Sequence, residues 1–302
     1  MQLLRPHLKI ILLIGITTLL AACGDLRCGK DIPITTLLAP CSSGGGGTAA
    51  TTVVRSADLT GGAENPQVVT AATGRGAVVF NPTTMEITGG ITFTGLMPSM
   101  GGHHIHQAPP GNPTMNGPVI IGLLLASDGV TAVVPPNTTL TQGENDALLA
   151  GELYFNVHTA ANPGGEIRGQ INVSGGMIAA VASLNGVQEV PLVTTSATGK
   201  GTLVVDDVTG DILISYVTHN VANANAAHIH TGLGPGTNGA PIVTFFLDPN
   251  FDGAGTNLAA PPAGTQMTAG DVSDFLINFL YFNVHSTGNP GGAIRGGITA
   301  LP

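Results

Sequence analysis

The strongest constraint on this chain is that it repeats itself. His104-Ile105-His106 returns as His228-Ile229-His230, and Tyr154-Phe155-Asn156-Val157-His158 returns as Tyr281-Phe282-Asn283-Val284-His285. Earlier, Leu59-Thr60-Gly61 with Glu64 and Pro66 reappears as Leu184-Asn185-Gly186 with Glu189 and Pro191. The shift there is 125 residues, and it has grown to 127 by the Tyr-Phe-Asn-Val-His segment. A period this long is a duplicated domain, because solenoid units run about 20–50 residues. The chain beyond its leader therefore divides into residues 53–174 and residues 175–302, joined near Ser174-Gly175-Gly176, each half with its own core. The copies have drifted apart between these segments, so what both retain answers a need common to both, and three histidines per copy are among the residues retained.

Each copy reads as antiparallel β-structure. Gly76–Phe80 and Ile87–Phe93 are short runs rich in β-branched residues, bounded by Asn-Pro and Gly, and Gly201–Val205 and Asp211–Val217 are their counterparts. With 44 Gly and 21 Pro, long helices are disfavoured. Only two short helices are predicted, over Gln142–Ala150 and Ala269–Asn278. The expected fold is all-β: two tandem antiparallel Greek-key-like β-sandwiches, of roughly seven or eight strands each.

The amino-terminal region speaks to location. Arg5, His7 and Lys9 precede an apolar run from Ile10 to Leu20, so residues 1–22 read as an export signal that is short for a transmembrane helix. Leu20-Ala21-Ala22-Cys23 resembles the lipobox of bacterial lipoproteins, which implies cleavage before Cys23 and acylation of its thiol and new amino terminus. Gly24 follows where many inner-membrane lipoproteins have Asp, so the resemblance implies the outer membrane. An ordinary secretory signal is the alternative. Cys28 and Cys41 lie in the following tether, residues 23–52, whose Gly44–Gly47 run is a flexible spacer. In an oxidising compartment these two cysteines either form a local disulfide or stay free.

Composition excludes some functions. Charged residues make up 9% of the chain and the net charge is −9, which argues against gripping nucleic acid. There is no Gly-x-Ser-x-Gly elbow and no His-Glu-x-x-His helix, so no catalysis is expected. The absence of Trp, with three Tyr, gives little for stacking sugars.

Taken in order, His-Ile-His, the turn Asn116-Gly117-Pro118, Tyr-x-Asn-Val-His-Thr and Asn162-Pro163-Gly164-Gly165-Glu166-Ile167-Arg168-Gly169 resemble the chordin-type (CHRD) domain. The resemblance covers nearly all of residues 53–302. It implies an extracellular β-sandwich module and brings no settled biochemical activity. The second copy departs at Ala240, inserted between Gly239 and Pro241, and at Ala293 in place of Glu166. That glutamate is therefore not a group the copies share.

Strand geometry gives the histidines a chemistry of their own. Positions i and i+2 of a strand project from one face, so His104 and His106 point together, as do His228 and His230. Two imidazoles on one face chelate a transition metal, copper or zinc, when a third approaches from a neighbouring strand, and His158 and His285 are the candidates. A His-x-His strand in a Greek-key sandwich also resembles copper/zinc superoxide dismutase in architecture, although the bridging histidine and full ligand set of that enzyme are missing. The alternative role is structural, with the rings bracing neighbouring strands by bonding to loop carbonyls. His103 and His219 each occur in one copy and read as surface residues or as supports behind the ligands. Arg168 and Arg295 either fork onto a carboxylate ligand or anchor the terminal strand through backbone carbonyls or Glu64 and Glu189.

Two function classes follow. The first is a lipid-anchored extracytoplasmic binding or adhesion module, with the membrane and an extracellular or periplasmic protein as partners. The second is an extracytoplasmic metal-binding or redox protein with a three-histidine cluster in each domain.

Overall fold

A computed structural model describes residues 51–302 apart from Met97, Pro235 and Pro302. The expected export signal, Cys23, Cys28, Cys41 and nearly all of the expected tether lie outside the described residues. Among the described residues no helix is long and apolar enough to cross a membrane.

The first copy runs β1 (Val53–Thr60), β2 (Thr73–Asn81), β3 (Glu86–Thr94), β4 (Pro98–Gln107), β5 (Val119–Gly122), β6 (Leu124–Leu125), β7 (Thr131–Val133), α1 (Gln142–Leu149), β8 (Leu153–Thr159) and β9 (Ile167–Gln170). The second runs β10 (Met177–Asn185), β11 (Thr198–Asp206), β12 (Ile212–His219), β13 (Ala224–Thr231), β14 (Pro241–Asp248), β15 (Asn257–Ala260), α2 (Ala269–Leu276), β16 (Leu280–Ser286) and β17 (Asn289–Gly297). All pairings are antiparallel. The punctuation foreseen in the sequence closes the hairpins. Asn81 Oδ1 accepts from the amides of Thr83 and Thr84, and Asp206 Oδ1 from those of Val208 and Thr209. Each helix starts at a threonine in a capping box, Thr141 with Glu144 and Thr268 with Asp271.

In the second copy the strands close into a barrel in the order β10-β11-β12-β15-β14-β13-β16-β17. The crossing from β12 to β13 and the return through β14 and β15 make it a Greek key. The first copy is a nine-stranded sheet, β5-β4-β8-β9-β1-β2-β3-β7-β6. Its two edges, β5 and β6, are separated in sequence by Leu123 alone, so together they occupy the place that β14 fills without a break. The interruption comes where the Leu123 amide donates to the carbonyl of His103 at 2.8 Å.

Each copy has its own apolar core, built around Phe80, Phe93, Ile105 and Phe155 in the first and Phe245, Phe275, Ile229 and Phe282 in the second. A third core lies between the copies. Ala77, Val79 and Val133 pack there against Val204, Ile214, Tyr216 and Ala260. Val79 and Val204 are equivalent residues, so similar faces of the two copies meet. The Tyr216 hydroxyl accepts from the Gly89 amide across this junction at 3.1 Å, and the Arg75–Asp211 ion pair (2.6 Å) and the Lys200–Glu86 ion pair cross it too. Each fully buried Val or Ile contributes roughly 1.5–3 kcal/mol, so this shared core holds the copies as one unit.

Candidate metal centre

Alternation along β4 and β8 decides which residues face the core and which face outward. Ile105, Phe155 and Val157 are fully buried in the first core. Their neighbours His104, His106, Tyr154, Asn156 and His158 must then project from the other face of the sheet. The β4–β8 register sets His106 opposite Tyr154 and His104 opposite Asn156, with His158 one step further along the same face. The β13–β16 register repeats this, with His230 opposite Tyr281 and His228 opposite Asn283. The strand pairing that a three-imidazole cluster requires is therefore present in both copies.

His104, His106 and His158 each place a ring nitrogen within 4.8 Å of the others, and so do His228, His230 and His285. The centroid distances are 5.5, 5.0 and 5.5 Å in the first cluster and 5.2, 5.0 and 5.6 Å in the second. His106 and His230 are buried, whereas His104, His158 and His228 are partly open and His285 is at the margin.

Hydrogen bonds set the tautomers. His106 Nδ1 is 2.9 Å from the Gly117 carbonyl and His158 Nδ1 is 3.1 Å from that of Pro163. His230 and His285 match them on the carbonyls of Gly239 (2.9 Å) and Pro290 (3.1 Å). A carbonyl only accepts, so each Nδ1 carries the proton, and in a neutral ring Nε2 is left with its lone pair. Burial keeps the rings neutral. It pushes His106 and His230 down to about 4 against the rise from their carbonyl bonds, and it lowers His158, His228 and His285. Yet His106 Nε2 lies 3.3 Å from His158 Nε2. Two lone pairs thus face each other at hydrogen-bond distance with no hydrogen between them. In the second cluster His228 Nδ1, His230 Nε2 and His285 Nε2 are all buried without a hydrogen-bond partner. Such sets of neutral nitrogen donors chelate a cation. Tetrahedral coordination at about 2.0–2.1 Å places ligand nitrogens about 3.3 Å apart.

A layered support orients the buried ring. His106 stacks on Tyr154 (5.0 Å, 13°) and the Arg168 guanidinium covers that tyrosine, 3.4 Å from its centroid. His230, Tyr281 and Arg295 repeat the stack at 5.0 Å, 15° and 3.4 Å. Arg168 also donates to Asn116 Oδ1 (3.0 Å) and to the carbonyls of Pro113 (2.7 Å) and Met115 (3.1 Å). Arg295 donates to Asn238 Oδ1 (3.1 Å) and the Thr237 carbonyl (2.6 Å). These arginines therefore clamp the loop whose next residue supplies the carbonyl to the histidine. The amides of Gly117 and Gly239 donate to Tyr154 and Tyr281 at 3.0 Å, and a Cβ on either glycine would strike the carbonyl of Gln107 or Thr231. Neither arginine forms an ion pair with Glu64 or Glu189 among the described residues, although each is close enough to act on that carboxyl electrostatically.

Of the two places expected for His103 and His219, the surface or behind the ligands, the structure excludes the surface. Both are almost fully buried, at 2% and 3% exposure. His103 stacks on Phe93 at 5.5 Å, and His219 Nδ1 accepts from the Val221 amide at 3.2 Å. Burial pushes both rings down to about 4. The signal was available, because His103 alternates inward with Ile105 and His219 with Val217. Tyr154, Asn156 and their counterparts were likewise missed as parts of the site, although they share a face with the histidines and recur in both copies.

The fold and the site together define a tandem pair of antiparallel β-domains, the second a closed barrel, each with an imidazole cluster on the face of its sheet turned away from the core. The CHRD domain matches residues 55–171 and again residues 180–298, and the chain belongs to that family. No curated protein and no solved structure gives a significant match.

Proposed function

We propose that this chain is an extracytoplasmic binding module whose two CHRD domains each hold one transition-metal ion, copper or zinc, through His104, His106 and His158 and through His228, His230 and His285. The observation that carries the reading is the 3.3 Å approach of two ring nitrogens whose Nδ1 atoms are both committed to carbonyls. A purely structural brace would not need those lone pairs to converge. Three imidazole donors leave a coordination position open, and among the described residues no carboxylate or thiolate joins the cluster. A lipid anchor at Cys23 would display the pair on the outer membrane. The same scaffold could present an adhesive surface to a protein partner, and metal binding is the reading that the side-chain geometry favours.

The test is metal content and calorimetric titration with copper and zinc on untagged protein recovered from membranes, whose intact mass also reports acylation of Cys23. Two ions should bind per chain, and His106→Ala and His230→Ala should each remove one while the fold persists. Because the buried rings resist protonation, binding should hold below pH 6.5 and fail as pH approaches about 4. Absence of stoichiometric binding by the intact protein ends this reading. A drop in stability of about 1–3 kcal/mol with no ion lost would make the histidines braces.

A further inference from the structure

Each domain buries a carboxyl group that metal binding does not use. Glu64 and Glu189 follow short 3-10 turns, Gly61–Ala63 and Gly186–Gln188, and both are 5% exposed. Each meets an asparagine of the Tyr-x-Asn-Val-His strand. Asn156 Nδ2 donates to Glu64 Oε2 at 3.5 Å, and Asn283 Nδ2 to Glu189 Oε2 at 3.5 Å. The remaining oxygens, Glu64 Oε1 with Asn156 Oδ1 and Glu189 Oε1 with Asn283 Oδ1, are buried without a hydrogen-bond partner.

These orphaned oxygens border one small space. The Cβ that Gly165 lacks would lie 2.5 Å from Asn156 Oδ1 and 2.6 Å from Glu64 Oε1. For Gly292 the distances to Asn283 Oδ1 and Glu189 Oε1 are both 2.6 Å. Both glycines have positive φ, +129° and +136°, so the turn that closes over the carboxyl needs glycine for its backbone and for its missing side chain. An ionised carboxylate accepts hydrogen bonds only, and an amide oxygen accepts only. Turning the amide over changes which carboxylate oxygen faces the amide oxygen, and one opposed pair remains. A single proton on the carboxyl removes the conflict, because acid and amide then exchange two reciprocal hydrogen bonds.

We propose that Glu64 and Glu189 are held as neutral carboxylic acids, each donating its proton to Asn156 or Asn283, so that every domain contains a buried proton site closed by Gly165 or Gly292. Burial raises each carboxyl from 4.5 to about 7, against the lowering effect of Arg168 or Arg295. Those arginines are the charged groups that face the two acids. Glu166 is bonded to Thr70 and Thr159 instead, and Ala293 replaces it in the second copy, so the arrangement does not depend on it. A carboxyl with a raised folded-state pKa contributes stability that is fully present below its unfolded value of 4.5 and lost as pH rises through about 7. The paired domains therefore carry an element that loosens toward alkaline pH.

Glutamine imitates the protonated acid, offering N–H where the acid offers O–H. In the full chain without metal, Glu64→Gln with Glu189→Gln should match the natural protein in denaturant unfolding at about pH 5. At about pH 8 it should be more stable, by up to roughly 10²-fold in the folding constant per site. The histidines titrate in both proteins, so the difference between them isolates the two acids. A variant less stable than the natural protein at about pH 8, or a difference unchanged by pH, overturns the proposal. Should the variant not fold, infrared spectra of the natural protein decide: a protonated-carboxyl carbonyl band should be present near about pH 6 and gone near about pH 9. Its absence at the lower pH overturns the proposal. Neither readout involves a metal ion, so this inference stands or falls apart from the metal reading.

Discussion

In the first copy the buried histidine of the imidazole cluster, its tyrosine and its arginine stack at 5.0 and 3.4 Å, and in the second the same three residue types stack at the same distances. Elsewhere the copies diverge. The strand formed by β5 and β6 breaks at Leu123 while β14 runs unbroken, Ala293 takes the place of Glu166, and each copy has a buried histidine that the other lacks. The difference follows from how each region is held. Apolar cores accept other side chains of similar volume at modest cost. In the outer stack, arginine clamps the loop, the loop carbonyl fixes the imidazole tautomer, and the imidazole presents its lone pair, so replacing one member strands the next.

The arginines give the sharpest way to break that comparison. Removing a buried guanidinium leaves its acceptors unsatisfied and exposes the tyrosine face, so Arg168→Ala should cost about 3–5 kcal/mol in denaturant unfolding of the full chain. Arg295 bonds one fewer carbonyl. Arg295→Ala should therefore cost less, by about 1 kcal/mol. Equal losses would mean that the stack on tyrosine, rather than the loop clamp, carries the energy.

A smaller effect should come from exchanging the unshared histidines for what the other copy has. Ala227 stands at the position of His103, and Phe93, which pairs with Gly74 as His219 pairs with Gly199, at that of His219. Burial pushes both histidines down to about 4 from 6.5, so each contributes stability that is present above 6.5 and lost as pH falls through about 4. In His103→Ala and His219→Phe the fall in stability between neutral and about pH 4 should be shallower by about 2–3 kcal/mol for each histidine removed. Comparing slopes with pH removes any constant cavity cost. Unchanged slopes would show that the rings are protonated in place.

The imidazole clusters were legible in the sequence because period-two alternation places His104 with His106, and Tyr154, Asn156 and His158 together, before any register is known. The capping threonines and the two short helices follow from equally local chemistry. The shared core was not legible. Val79 and Val204 read as ordinary inward strand residues, and nothing near them in sequence says that they face a second copy. The acid–amide pair was hidden for a related reason. Glu64 and Asn156 are 92 residues apart, and only the glycine turn that closes over them brings their oxygens to one spot. The break at Leu123 depends on a backbone bond to His103, which side-chain patterns do not encode.

The smallest effect concerns a polar residue beside the site that the second copy lacks. Glu166 Oε1 accepts from Thr70 Oγ1 at 2.9 Å and Oε2 from Thr159 Oγ1 at 2.5 Å. Those bonds, the one to Thr159 foremost, hold its carboxyl below the usual range. The carboxylate is only partly buried, so two charge-assisted bonds there are worth less than fully buried ones. Ala293 and Ser286 occupy the corresponding places in the second copy, where the His285–Pro290 bond has the same length as the His158–Pro163 bond. The turn that orients the third histidine therefore does not need the glutamate. Glu166→Ala should lower stability by about 0.5–1 kcal/mol in denaturant unfolding and leave metal stoichiometry unchanged. Loss of one ion on this substitution would make Glu166 a ligand of the first site, and the two clusters would then differ in chemistry as well as in surroundings.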